Sequence, residues 1–394
     1  MSSGRVLLFL GLLAHLWFGL RPAYERVTTA PSGRDYASYY YAVQVAADGG
    51  DPYDTGALEA KARKERTRKE VHPYFYPPPF LLTMTWALPL SLPKAYLGML
   101  VLNEALLAAT VALCLGPFGV APWAVALLLA VFSPIPDNAW MGQANLLALV
   151  PALAGLAAAP RRPVLGGVLV GLAGMIKMSP ALFLLYWAIQ GRWKPVAAAV
   201  ATAVLLSVAT LPLVGLDAQL RFYTDILPGF SSGDYHGLTV PITLPANHSI
   251  PDLFNQLWAG PSRFRLSDAA QLGSSLTAVA LLGLWAFRFR GPSPAHPDPT
   301  AIGALSVLMV MLPVYTYEHH LVFLLLAVGA AATLRPGLAV LCVGFFLAWP
   351  LDWLRGVQSV VSGVPYAGVI VRESKFIAEL ALFGLLLWTP RRRR

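Results

Sequence analysis

A few polar residues in a long hydrophobic chain are of the types that handle protons, phosphates and sugar hydroxyls. Asp35 lies in Gly33-Arg34-Asp35-Tyr36, at the head of a tyrosine run formed by Tyr36, Tyr39, Tyr40 and Tyr41. A carboxylate within hydrogen-bond reach of a hydroxyl can act as general base, although most isolated loop carboxylates are only solvated. Lys177 is the only formal charge between Val164 and Gln190. It reads either as a lysine snorkelling from a helix end or as an ammonium that binds an anion such as a lipid phosphate. Pro180, three positions on, favours the second reading, because it interrupts the helix and suits a stretch that lines a cavity. Gln143 and Asn145, in Gly142-Gln143-Ala144-Asn145, carry donors and acceptors that suit sugar hydroxyls. They suit a helix cap equally well.

Two later stretches complete the set. Asn247-His248-Ser249 follows Pro241 and Pro245 and also fits the short N-x-[ST] glycosylation pattern, a weak signal on three residues. Tyr315-Thr316-Tyr317-Glu318-His319-His320 marks a helix boundary. Adjacent histidines point apart on a helix, which argues against a His-His metal site. Phosphate binding or hydroxyl positioning by one of them remains, beside an ordinary interfacial belt of aromatic and histidine side chains.

The elements that must hold these groups are apolar. Of 394 residues, 57% are hydrophobic and 12% charged, against about 25% charged in an ordinary soluble domain. Apolar runs fall at 5–21, 76–92, 94–116, 120–135, 143–159, 163–176, 178–190, 194–216, 269–289, 300–316, 319–334, 336–350 and 375–390. This is the pattern of an all-α polytopic membrane protein, read as one integral membrane domain over 1–394. Cys114 and Cys342 lie inside such runs and read as packing residues. The net charge of +9 sits in short clusters between apolar runs, which points to membrane topology and away from nucleic acid.

Those clusters orient the chain. Arg161-Arg162, Arg192 with Lys194, Arg288 with Arg290, Arg335 and Arg391 to Arg394 are accompanied by one acid, Asp298. The long loop 22–75 balances eight basic residues with eight acidic ones, and 217–268 carries five acids and three arginines. Basic connections mark the cytoplasm, so 22–75, 217–268 and 351–374 are expected outside and both termini inside. Counting every run as a crossing puts Arg161-Arg162 on the wrong side. One segment within 94–159 is therefore expected to be re-entrant, leaving about twelve spans.

The ordered set of short motifs resembles a family. Asp35-Tyr36, Gly50-Asp51-Pro52-Tyr53, Tyr76-Pro77-Pro78, Gly142-Gln143-Ala144-Asn145, Ile176-Lys177-Met178-Ser179-Pro180, Asn247-His248-Ser249 and the late histidine pair run in the order seen in the polyprenyl-phosphate-mannose-dependent mannosyltransferases of glycosyltransferase family 87. The resemblance covers about residues 30–330. It implies a GT-C-type helical bundle with long extracytoplasmic loops and an active site at the outer face. The implied reaction moves a hexose, most simply mannose, from a polyprenyl-phosphate sugar to an acceptor hydroxyl on a glycolipid or glycan, with inversion. Transferred residue by residue, it makes Asp35 the base and Lys177, His319 and His320 the groups on the donor phosphate. Tyr36, Asp51, Tyr53, Tyr76, Gln143, Asn145, Asn247, His248 and Glu318 would contact sugar or acceptor. For each tyrosine, interfacial anchoring is an equal account. The lipid-linked sugar is a substrate and no cofactor is expected. The first loop lacks an Asp-x-Asp pair, so no obligatory divalent metal is expected either. High Ala, Pro and Arg content suits a bacterial chain, hence the plasma (inner) membrane.

A transporter or flippase of a lipid-linked sugar would share the many spans and the buried lysine. The absence of internal repeats and the uneven loop lengths favour an enzyme. A purely structural protein would leave Lys177 and the ordered motifs without a purpose.

Overall fold

The computed structural model describes residues 3–29, 34–67, 70–235, 238–291, 296–364 and 367–389. Gly33 and Arg391 to Arg394, which entered the reading above, lie outside them. Among the described residues the chain is helical and irregular, with no strand. The helices are α1 (Ser3–Thr29), α2 (Arg34–Ala47), α3 (Thr55–Lys64), α4 (Leu92–Leu115), α5 (Pro122–Val131), α6 (Pro134–Met141), α7 (Asn145–Ala158), α8 (Pro163–Ile176) and α9 (Ser179–Ala188). They continue with α10 (Trp193–Ser232), α11 (Ile250–Leu257), α12 (Asp268–Phe289), α13 (Pro299–Met311), α14 (Glu318–Leu334), α15 (Leu338–Ala348), α16 (Leu351–Val361), α17 (Ala367–Arg372) and α18 (Ser374–Leu387). Proline opens α5, α6, α8 and α13, where its fixed φ suits the first turn and its missing N–H costs nothing.

Four helices among the described residues, α1, α4, α10 and α12, are each long and apolar enough to cross a membrane. The bent pairs α5–α6 (57°) and α15–α16 (93°) raise this to six. Large apolar side chains on α1, α10 and α12, such as Phe18, Leu205 and Val279, are exposed, as expected of faces turned to lipid. The centre is different. Every residue of α13 from Thr300 to Met311 is buried, so an all-round apolar helix has become the hub of the bundle. Close packing around α8 depends on glycine. A Cβ on Gly167 would lie 2.2 Å from Pro195 O, and one on Gly171 2.6 Å from Ala199 O. Small residues let membrane helices approach in this way.

The bundle has two ends of different chemistry. At one, the basic connections cap neighbouring helices. Arg192 donates to Ala159 O at 2.5 Å, Arg288 to Leu387 O and Thr389 O at 2.7 and 3.0 Å, and Arg335 to Trp388 O. Tyr186 OH accepts from the Asp298 amide at 3.1 Å, and Thr333 Oγ1 from the Ala121 amide at 2.8 Å. At the other end, the residues that precede or follow the same helices line one large cavity. Arg161-Arg162 therefore falls with the other basic connections, beside Ala159.

Within 94–159, where a re-entrant segment is expected, the pair α5–α6 bends by 57°, as a broken span or a re-entrant loop does. The run 76–92 departs from the α-helix altogether. It forms a 3₁₀ helix, Pro78–Ala87, after Pro77. Both of its flanks are bonded to α2: Ser38 Oγ donates to Pro73 O at 3.2 Å, Gln44 Nε2 to Leu88 O at 3.2 Å, and Tyr40 OH to Leu90 O at 2.8 Å. The segment also packs against α8 and α10, within the bundle. Ten residues of 3₁₀ helix is long for that geometry, and Thr83 and Thr85 support it by donating to Phe80 O and Leu82 O.

Candidate active site

Asp35 occupies the first turn of α2, where unpaired N–H groups and the helix dipole favour a carboxylate. Its Oδ2 accepts a hydrogen bond from Gln143 Nε2. The Tyr39 and Tyr76 hydroxyls, 2.6 Å apart, both reach Gln143 Oε1, at 3.0 and 3.2 Å. Burial, ahead of any neighbour, pushes both phenols above their usual range, so they stay neutral donors.

Lys177 ends α8 in an extended conformation, just ahead of Pro180. Its ammonium donates to Asn145 Oδ1 at 2.6 Å and lies 3.5 Å from Tyr76 OH and 5.4 Å from the centre of that ring. Asn145 in turn donates to His319 O at 2.8 Å and to Asn138 Oδ1 at 3.0 Å, so one amide sets the positions of both Lys177 and His319. The His319 ring stands between two carboxylates. Nε2 is 3.9 Å from Asp35 Oδ2 and Nδ1 is 3.5 Å from Asp137 Oδ2. His320 Nδ1 accepts from the Tyr317 amide at 3.1 Å, closing the turn that carries both histidines.

These groups share a cavity of about 1430 Å³. Asp35, Tyr76, Gln143, Lys177, Glu318, His319 and His320 line it, with Asp137 and Trp140 from α6 and Arg26 and Arg355. Apolar side chains of α1, α5, α9 and α13 complete the wall, Phe18, Leu129, Leu182 and Met309 among them. A polar floor with apolar walls can take an amphipathic ligand with a charged, hydroxyl-rich head. Glu318 is on the wall but fully engaged: Oε1 accepts from Lys375 Nζ at 2.6 Å and Ser133 Oγ at 2.7 Å, and Oε2 lies 3.6 Å from His248 Nε2.

The remaining predicted residues stand behind the wall. Tyr36 is buried against Tyr96, with ring centres 5.4 Å apart. Tyr53 is buried between Tyr74 and Phe222 and donates to Tyr76 O at 2.8 Å. Asp51 caps the Tyr53 amide at 2.9 Å and accepts from Arg221. Asn145 braces Lys177 from within the bundle. Asn247 donates to Ile242 O and Val314 O and accepts from the Thr316 amide, so its side chain ties the loop before α11 to the strap before α14. His248 is fully buried beside Glu318.

Sequence reasoning passed over Asp137, Trp140, Ser133 and Lys375. Lys375 and Glu379, both buried, sit inside what reads as the last apolar run. Ionisable residues within such a run were the available signal. Asp137 gave none beyond its place between two prolines and Gly142.

Fold and site together define an all-helical membrane protein with one deep cavity, polar at its floor and apolar at its walls, at one end of the bundle. Glycosyltransferase family 87 matches residues 74–316, more than half of the chain, and the protein belongs to that family. Over 209 residues it is 31% identical to the polyprenol-phosphate-mannose-dependent alpha-(1-2)-phosphatidylinositol mannoside mannosyltransferase of Mycolicibacterium smegmatis, covering 51% of this chain and 44% of the relative. It is 29% identical over 198 residues to the corresponding pentamannoside mannosyltransferase of the same organism, covering 49% and 43%. With the pentamannoside mannosyltransferase of Mycobacterium tuberculosis it shares 26% identity over 362 residues, covering 85% and 76%. The chain thus matches less than half the length of the first two relatives. No solved structure matches it.

Proposed function

We propose that the protein transfers mannose from a polyprenyl-phosphate donor to an acceptor hydroxyl, a phosphatidylinositol mannoside being the first to test. The observation that carries this reading is Asp35 at the cavity floor, with Lys177 and His319 beside it. Asp35 takes the proton of the attacking hydroxyl as general base. Lys177, His319 and His320 meet the charge that grows on the departing phosphate. Attack and departure on opposite faces of the sugar invert the anomeric centre. Gln143 and Tyr76 hold Asp35 and offer hydrogen bonds to sugar hydroxyls. Neither a cofactor nor an obligatory divalent metal enters this scheme, because cationic side chains take the place at the phosphate.

In this reading the chain lies in the plasma (inner) membrane, with the cavity outside, both termini inside and about twelve spans.

The test is transfer of labelled mannose from polyprenyl-phosphate-mannose in membranes, wild type beside Asp35→Asn. Asp35→Asn is expected to insert normally and to lose at least about 100-fold in rate, the scale of a general base. Transfer that survives the substitution would move the base elsewhere.

A further inference from the structure

Asp137 belongs to no motif, yet it is among the most constrained acids at the cavity. It sits in the first turn of α6, a short helix bent 57° from α5. Gly142 closes α6 at φ 65°, and a Cβ there would meet Tyr36 Cβ at 2.7 Å, so α6 is pinned against α2. Both carboxylate oxygens are occupied in different ways. Oδ1 accepts from Trp140 Nε1 at 2.9 Å, and the Arg26 guanidinium lies 4.5 Å over the same indole. Oδ2 is 3.5 Å from His319 Nδ1. A solvated carboxylate has no reason to be clamped by an indole while facing an imidazole.

We propose that Asp137 is a positioning residue, holding His319 with its Nδ1 proton toward Oδ2 so that Nε2 presents a lone pair to Asp35. The inference rests on the transfer reading above and deepens it. A neutral imidazole carries one N–H; Asp137 Oδ2 is the nearer carboxylate oxygen, 3.5 Å against 3.9 Å, and Asp35 Oδ2 already accepts from Gln143, so the hydrogen belongs on Nδ1. The backbone of His319 is fixed as well, since its carbonyl accepts from Asn145. Nε2 then stands 3.9 Å from Asp35 Oδ2, a separation of the kind that tightens when substrate enters.

The step balances. The acceptor oxygen bonds to the anomeric carbon as the bond from that carbon to the phosphate oxygen breaks, and the electron pair leaves with the phosphate. The hydroxyl proton passes to Asp35 and then to His319 Nε2, which restores the Asp35 carboxylate. The imidazolium that forms is stabilised by Asp137, and it forms as the phosphate gains its second negative charge.

Asp137→Asn keeps the shape and an acceptor for Trp140 but removes the charge. It is expected to lower kcat about 10–100-fold, the scale of removing a histidine's orienting partner, with KM for the donor unchanged. In a His319→Ala background it is expected to cost nothing further. Equal losses in both backgrounds, or a raised KM at unchanged kcat, overturn the proposal. A second readout needs no turnover: ¹⁵N NMR of histidine-labelled protein in detergent, with His319 assigned through His319→Ala. The Nδ1–H tautomer is expected in wild type and a mixture in Asp137→Ala. An unchanged tautomer sinks the inference. Should wild type transfer no sugar at all, the functional reading falls alone and the tautomer still decides the role of Asp137.

Discussion

The Lys177 ammonium reaches the cavity floor through a neutral acceptor, Asn145 Oδ1, and an aromatic face, Tyr76. A lysine that merely snorkelled would end in solvent; this one ends at the cavity, within the field of Asp35. Lys177→Met, which keeps the stem and removes the charge, is expected to cost about 100-fold in kcat/KM, as for one electrostatic donor at a developing anion. Initial rates against donor concentration check this, and unchanged rates would reduce Lys177 to packing. The residue was legible because a charge in an apolar run demands a reason. Gln143 and the histidine pair stood out through the same contrast, whereas Asp35, in a polar loop, was singled out by the ordered motifs around it. Asn247 and Tyr53 show where the method fails. Each is polar and sits in a motif, but each spends its hydrogen bonds on the backbone of residues such as Tyr76 and Val314 and does not itself line the cavity. Residue type and spacing alone do not distinguish a wall from the brace behind it.

At the scale of elements, two buried polar joints hold the cavity end together. Lys375 of α18 donates to Glu318 of α14 and to Leu347 O of α15, and Ser133 between α5 and α6 reaches the same carboxylate. The second joint links α11 to the turn between α17 and α18. Gln256 of α11 donates to Glu373 Oε1 at 2.6 Å and to Asp252 Oδ2 at 3.3 Å, and Arg372 donates to Gln256 Oε1 at 3.3 Å. Burial first, and the charge of Glu373 second, push the Asp252 carboxyl up to about 8, with Arg372 acting in the opposite sense. Burial raises Glu373 as well. A carboxyl that binds its proton more tightly in the folded state contributes stability that is complete below its unfolded value. That contribution is lost as pH rises through the folded one. The unfolding midpoint of wild type in detergent is therefore expected to fall between about pH 5 and about pH 9 relative to Asp252→Asn, which has no proton to lose. Parallel profiles for the two proteins would refute the joint. Nothing in the sequence paired Asp252 with Glu373, because the contact joins segments more than a hundred positions apart.

For the whole molecule, hydropathy gave the all-helical class and most of the helices, but not how many of them cross. The length rule is the reason. A crossing helix needs about 20 residues at 1.5 Å each, whereas α5 has ten and approaches that length only with α6, across a 57° bend. The 76–92 run forms a 3₁₀ helix, with both flanks bonded to α2. Charge proved the better guide, since Arg192, Arg288 and Arg335 all gather at the end opposite the cavity. That asymmetry makes the orientation testable. With Cys114 and Cys342 replaced by serine, Lys64→Cys on α3 and Arg161→Cys place one exposed thiol at each end. In intact cells a membrane-impermeant maleimide is expected to label Lys64→Cys at once and Arg161→Cys only after permeabilisation. The opposite pattern would turn the cavity toward the cytoplasm. A lipid-linked sugar would then have to be met on the inner leaflet, and the acceptor sought among cytoplasmic hydroxyls.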